Sequence, residues 1–234
     1  MSLFGWLLGS RVRLRPEQRW RLEAWGALEE PDLGAGRFPR YVMVDVESSG
    51  LDVYGDRLIA IGAVAIVDAR INYADAFYSV LRQDKTSSDA NILVHGIGGT
   101  EQIAGGDPCE VLLNFIEYAG KAPLAGFHSQ FDEIMIGKAM RQYLGKSFKR
   151  SWLDLAWLAP AIEPDIARRA RSLDDWMSAF GIVNISRHHA FADALATGQL
   201  FQVLQHRAAI KGLRSVADLV EAAASQHLLA NQRR

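Results

Sequence analysis

The sequence predicts an α/β fold: one mixed β-sheet, an antiparallel meander followed by alternating helices and strands, flanked by helices. Two observations carry this. Three strand-like runs follow one another after Tyr41 with no helix between them. Beyond about residue 110, helical and strand-like segments then alternate. At 234 residues the chain is long enough to bury a core without disulfide staples. Its 49% hydrophobic and 23% charged content is that of an ordinary globular protein.

Residues 1–40 read as a helical arm and linker. Met1 to Ser10 is apolar, and its first basic residues, Arg11 and Arg13, follow the run, the reverse of a secretory leader's order. A short helix or arm packing on the body or on a partner is expected there. Pro16 can open a helix, with Trp20, Leu22, Trp25 and Leu28 as its apolar positions. The prolines and glycines between Glu29 and Arg40 read as a linker.

Tyr41 to Val46 is β-rich and is expected to be a buried strand. Leu58 to Val67 and Ala76 to Leu81 are the next two. A helix is expected over Glu110 to Tyr118 from the spacing of Val111, Leu112, Phe115 and Ile116. Pro123 to Phe127 then reads as strand, Phe131 to Tyr143 as helix and Trp152 to Leu158 as strand. Ser172, three residues before Asp175, forms a helix-start signal. Ala190 to His206 and Ser215 to Leu229 are the last expected helices. No apolar run approaches the roughly 20 residues that cross a bilayer, so no membrane role is expected. The single cysteine, Cys109, suits a reducing, cytoplasmic location.

The acids carry the functional signal. Asp45 and Glu47 stand two apart on a strand, so their carboxylates share one face. Adjacent buried carboxylates repel, and a hard divalent cation between them resolves the repulsion. Alternatively, Glu47 lies past the strand end and is merely solvated. Asp132 and Asp193 each sit early in an expected helix, where a carboxylate also suits the helix dipole. The small residues Ala190, Ala192, Ala194 and Ala196 let the Asp193 helix lie close to the sheet or leave room for a ligand. Asp154 is expected to cap a helix or bind buried backbone.

Three segments together resemble a known family: Asp45-Val46-Glu47-Ser48-Ser49-Gly50, His128-x-x-Phe131-Asp132 and His188-x-Ala190-x-x-Asp193. They are similar, in order and spacing, to the motifs of the DEDDh exonucleases. That is the ribonuclease H-like branch that holds the proofreading epsilon subunit of bacterial DNA polymerase III, ribonuclease T and oligoribonuclease. The resemblance covers about residues 41 to 207 and sets the organisation: arm and linker 1–40, exonuclease domain 41–211, C-terminal helix 212–234. Ser48-Ser49 replaces a frequent Thr-Thr, and His128 a frequent Asn.

The resemblance implies metal-dependent 3′→5′ hydrolysis of phosphodiester bonds. Two divalent cations, Mg²⁺ or Mn²⁺, would be held by Asp45, Glu47, Asp132 and Asp193, with His188 as general base. Val46, Ser48, Gly50, Leu51, His95, His128 and Phe131 would contact the substrate. His95 serves equally well as the residue that orders a turn. The substrate would be the 3′ end of single-stranded or frayed DNA. An RNA- or oligonucleotide-trimming enzyme is the alternative, and a binding or scaffolding module with an unused site is the third reading. A net charge of −1 excludes binding long duplexes by charge alone, and the cations would answer that deficit locally. Lys138, Arg141, Lys146, Lys149, Arg150, Arg168, Arg169 and Arg171 form a basic stretch that either tracks a strand or is a solvated face. Residues 1–40 and the C-terminal helix stand as surfaces for a protein partner or for self-association.

Overall fold

A computed structural model describes residues 12–36 and 38–232. The expected packing of Met1 to Ser10 lies outside the described residues. Five strands form one mixed sheet in the order β3-β2-β1-β4-β5. β1 (Arg40–Ser48), β2 (Leu58–Val67) and β3 (Arg70–Val80) make the antiparallel meander. β4 (Leu124–Gly126) and β5 (Trp152–Asp154) extend it in parallel.

β3 begins well before the expected Ala76. Its first half, with Arg70, Asn72, Tyr73 and Ala74 exposed, is a sheet edge without a buried apolar run. The β2–β3 turn is Asp68-Ala69, both at positive φ. That is the backbone of a tight hairpin turn, without the Asn-Gly pair that usually announces one.

The helices lie on both faces of the sheet. α1 (Pro16–Gly26) packs on α4 (Pro108–Ala119), which is capped by the Asp107 side chain. Two short helices, α2 (Asp89–His95) and α3 (Gly99–Ala104), were not expected, because seven and six residues are too few to show a period. α5 (Gln130–Ala139) runs into a π-turn over Met140–Leu144. The expected strand over 152–158 stops at Asp154. There the Asp154 carboxylate accepts the Ala156 N–H at 2.9 Å and starts α6 (Leu155–Ile162) instead. α7 (Leu173–Phe180) opens on the reciprocal cap of Ser172 and Asp175. α8 (Ala190–Ile210) and α9 (Val216–Gln232) are the last two helices among the described residues.

Strand alternation on β1 divides the interior. Val42, Val44 and Val46 face a core built with Leu112, Phe115, Met135 and Ile136 of α4 and α5. Tyr41 and Met43 face a second core with Leu158, Trp176, Leu200, Phe201 and Leu204. Each of the last three is fully buried on α8, worth about 1.5–3 kcal/mol by area. α1 joins the first core through Trp25, whose Nε1 donates to the Gly120 carbonyl at 2.9 Å. α9 joins the second through Val216, Leu219 and Ala223. Among the described residues no helix is long and apolar enough to cross a membrane.

α8 lies unusually close to the sheet. A Cβ on Gly62 of β2 would stand 2.2 Å from the Ala190 carbonyl carbon and 2.3 Å from the Phe191 nitrogen. Ala190, Ala194 and Gly198, one helical turn apart, form the stripe that permits this approach. Gly62→Ala must therefore push α8 outward, and we expect a loss of about 2–3 kcal/mol in urea unfolding. A loss under about 0.5 kcal/mol would show that the helix slides freely.

Candidate active site

The acids come from three elements. Asp45 and Glu47 lie on β1, and Asp45 is opposite Gly62, which is opposite Tyr78 of β3. Both carboxylates therefore point to the face that α8 covers. Glu47 is buried and lies within the strand, not past its end.

Asp132 reaches the same place from the other side of the sheet. β4 stops at Gly126, so β1 loses its parallel neighbour after Met43. The Asp132 Oδ1 accepts the Val46 N–H at 3.0 Å. Gly126 makes room: a Cβ there would stand 3.0 Å from the Val44 carbonyl oxygen and 3.5 Å from the Asp132 Oδ2.

Asp193 is held in the first turn of α8, above Asp45. Its Oδ2 accepts the His188 N–H at 3.0 Å. Its Oδ1 accepts from Asn184 Nδ2 and from the Arg187 guanidinium. His188 itself is exposed and adopts positive φ, and His189 stacks on Tyr78 with ring centroids 4.8 Å apart. Tyr78, Val94, His95, Arg187, His188 and His189 line a groove of about 280 Å³ beside the acids.

Crowding these carboxylates together is electrostatically costly. Burial first, and the Asp193 charge next, hold Asp45 well above the ordinary carboxylate range. Burial, then Asp45 and Asp193, push Glu47 up to about 9. Asp132 is also raised, by burial and then by Asp45, against the lowering effect of its backbone N–H bonds. Arg187 is the cation that opposes the rise at Asp45 and Glu47.

This donor set suits hard divalent cations. It is made of carboxylate oxygens, Glu47, Asp132 and Asp193 are buried and Asp45 is half-buried, and no donor among the described residues hydrogen-bonds the side chain of Asp45 or Glu47. Among the described residues no three such side chains close into a finished metal cage. Asp193 is instead paired with Arg187.

The other expected contacts sort by what they touch. The Ser48 hydroxyl donates to the Gly50 carbonyl at 2.6 Å and shapes the turn after β1. Gly50 lies against the Asp56 carboxylate, where a Cβ would come within 2.4 Å. Leu51 projects from this turn, 88% exposed. His95 is buried, and its Nδ1 accepts the Ile97 N–H at 3.0 Å, which orders the turn after α2. His128, at positive φ, is exposed, and its N–H donates to Asp154 Oδ1 at 2.9 Å. Asp154 thus fixes the turn before α5 and the start of α6 together. Phe131 is half-buried on the first core. In the basic stretch, the Lys138 ammonium is spent on the carbonyls of Val53, Tyr54 and Asp56, and Arg150 pairs with Glu30. Those two do not serve a strand-tracking face. Gly62, Gly126, Asn184 and Arg187 escaped sequence reasoning, since no local pattern marks a glycine facing a helix or an arginine that joins acids of two different helices.

Residues 42–201 match the protein-family profile described as Exonuclease (RNase_T). The chain belongs to this exonuclease family. A relative, the DNA polymerase III epsilon subunit of Aquifex aeolicus, is 28% identical over 69% of this chain and 78% of its own length. DNA polymerase III PolC-type of Thermotoga petrophila is 26% identical over 69% of this chain, which spans only 11% of that protein. Among solved structures, E. coli exonuclease I in complex with a dT13 oligonucleotide superposes with a TM-score of 0.62 at 16% identity, over 74% of this chain and 42% of that one. Exonuclease X in complex with 5′ overhanging duplex DNA gives a TM-score of 0.62 at 15% identity, over 78% of this chain and 99% of that one. These two carry the likeness of fold.

The raised acids set the pH dependence of the exonuclease-family fold without cations. Glu47 titrates near 9 when folded against 4.5 for an ordinary glutamate, so the folded chain keeps protons that the unfolded chain releases. The contribution of Glu47 to stability is therefore full below about 4.5 and is lost as pH rises toward 9. Urea unfolding of chelator-treated protein should show stability falling between about pH 6 and about pH 8.5, and Glu47→Gln should flatten that fall. An unchanged slope in the variant would contradict the burial of this carboxylate.

Proposed function

We propose that the chain is a metal-dependent 3′→5′ exonuclease that releases nucleoside monophosphates from the 3′ end of single-stranded or frayed DNA. The observation that supports it best is the convergence of Asp45, Glu47, Asp132 and Asp193 from β1, α5 and α8 at the end of the central strand β1, beside an exposed histidine. Those four would hold two divalent cations, Mg²⁺ or Mn²⁺. When bound, the cations would supply Lewis-acid stabilisation of the charge on the phosphate being cleaved.

The chain's own residues do the rest. An imidazole nitrogen of His188 accepts the proton of the attacking water, which a neutral histidine can do near pH 7. The bond from its backbone N–H to Asp193 ties the base to the cation-binding acids. The turn carrying Ser48, Gly50 and Leu51 borders the end of β1, where a terminal 3′-hydroxyl and base would lie. The Val46 backbone, His128 and Phe131 would complete the substrate surface, and buried His95 would serve it through the turn after α2. The relative in Aquifex aeolicus is a polymerase subunit by name. A protein partner or a second copy would meet this chain at residues 1–40, where Trp20 is exposed, or at α9, where Leu228 and Leu229 are exposed. A cytoplasmic location accords with Cys109 as a thiol whose Sγ donates to the Tyr143 carbonyl.

A digestion panel tests the activity. End-labelled single-stranded DNA, mismatched duplex and RNA would each be incubated with Mg²⁺, Mn²⁺ or EDTA. Shortening from the 3′ end, with metal only, and faster on DNA than on RNA, is expected. Cleavage that persists in EDTA would sink the reading, and faster trimming of RNA would move it to the ribonuclease branch. Asp45→Ala and Asp193→Ala should each leave less than about a hundredth of the activity on a folded chain.

His188→Ala should cost roughly 10²–10⁴-fold in turnover, the usual contribution of a positioned base. The rise of rate with pH that a general base gives should vanish with it. His189→Ala, which removes a ring stacked on Tyr78, should stay within a few-fold. The reverse ranking would reassign the base.

A further inference from the structure

Arg187 occupies a position that the proposed chemistry does not require. Its Nη1 donates to Asp193 Oδ1, and its Nε donates to Asp174 Oδ1 of α7 at 2.7 Å. The arginine thus bridges the exposed acid of one helix and the buried acid of another: the side chain of Asp174 is 60% exposed and that of Asp193 is 6% exposed.

The hydrogen bonds at Asp193 fill Oδ1 and leave one lone-pair direction open on Oδ2. Its Oδ1 already accepts from two donors, Arg187 and Asn184, and its Oδ2 accepts the His188 N–H. A carboxylate oxygen offers two lone-pair directions. A cation bound through Oδ1 must therefore replace one donor. Asn184 is neutral and its loss frees no charge. A guanidinium beside an arriving divalent cation is repelled, and this one keeps a second carboxylate, Asp174, to fall back on.

We propose that Arg187 is a displaceable internal counter-ion. It neutralises Asp193 while the acid cluster lacks a cation, and it yields that carboxylate to a divalent cation while remaining tethered to Asp174. This rests on the reading of the four acids as metal ligands. The charge balance agrees, because Arg187 is the cation acting on Asp45 and Glu47. The consequence is a metal affinity lower than the acids alone would give, in exchange for a folded state that tolerates the absence of metal.

The test is Mn²⁺ titration by calorimetry into chelator-stripped wild type and Arg187→Gln, with melting curves of both proteins with and without Mn²⁺. The Gln variant should bind Mn²⁺ about tenfold more tightly, a coupling within the usual range between linked sites. Its metal-free form should melt lower than wild type, and Mn²⁺ should raise its melting temperature more than it raises that of wild type. Arg187→Lys provides the second variant if the Gln chain does not fold. A single ammonium cannot bridge both carboxylates as the fork does, so its affinity should lie above that of wild type. Equal or weaker Mn²⁺ binding in the variants overturns the counter-ion role alone. Absence of Mn²⁺ binding in wild type and variants overturns the metal-site reading and the counter-ion role together.

Discussion

The close approach of α8 to β2 at Gly62 is the contact on which the site depends. With no side chain at Gly62, the first turn of α8 rests directly on the strand. Gly62 is the lateral neighbour of Asp45 in the sheet, so the same contact sets Asp193 above Asp45. Backbone against backbone is also a stiff arrangement, because neither surface has a rotamer to adjust. The turn that precedes the helix, with Asn184, Arg187 and His188, is fastened to Asp193 and inherits that position. A second close approach, at Gly126, performs the same service for Asp132 on the opposite side.

The outcome is a region where stability and chemistry pull in opposite directions. Both cores are continuous, and they hold the sheet between them. Where they meet, at the ends of β1 and β4, the chain places mutually repelling carboxylates, raised by burial and by one another. Such a cluster persists because the surrounding elements over-determine it. Hydrogen bonds from the Val46 and His188 N–H groups and the ion pair with Arg187 satisfy part of it. Asp45 and Glu47 carry no hydrogen bond or ion pair of their own among the described residues, only the more distant charge of Arg187, and carboxylates so placed suit a hard cation.

The flanking helices fit the same logic. α1 and α9 each add a few buried groups, Trp25 on one side and Val216, Leu219 and Ala223 on the other, to cores that the middle of the chain has already formed. Arg21 clamps α1 to α4 through Glu110, Asn114 and Glu117. These contacts lie away from the acids, so the helices bear on the site through the stability of the scaffold.

Much of this was written locally and could be read as such. The buried strands over 41–46 and 58–67, the Ser172 cap and the long helix of small residues at Ala190 follow from period, β-branching and capping chemistry, which act within a few residues. The spacing of Asp45 with Glu47, and of His188 with Asp193, is equally local. The edge half of β3, the short α2 and α3, and the switch from strand to helix at Asp154 were not legible, since solvent exposure, brevity and one side-chain cap decided them. Tertiary structure alone decided which acids meet. Asp45 and Asp193 are far apart in the chain, and no local signal encodes the missing Cβ at Gly62 that lets their elements touch. The same holds for Arg187, whose partner on α7 is found only after the helices have packed. Local chemistry chooses elements and candidate residues; contact between elements, fixed by close packing, turns those candidates into a site.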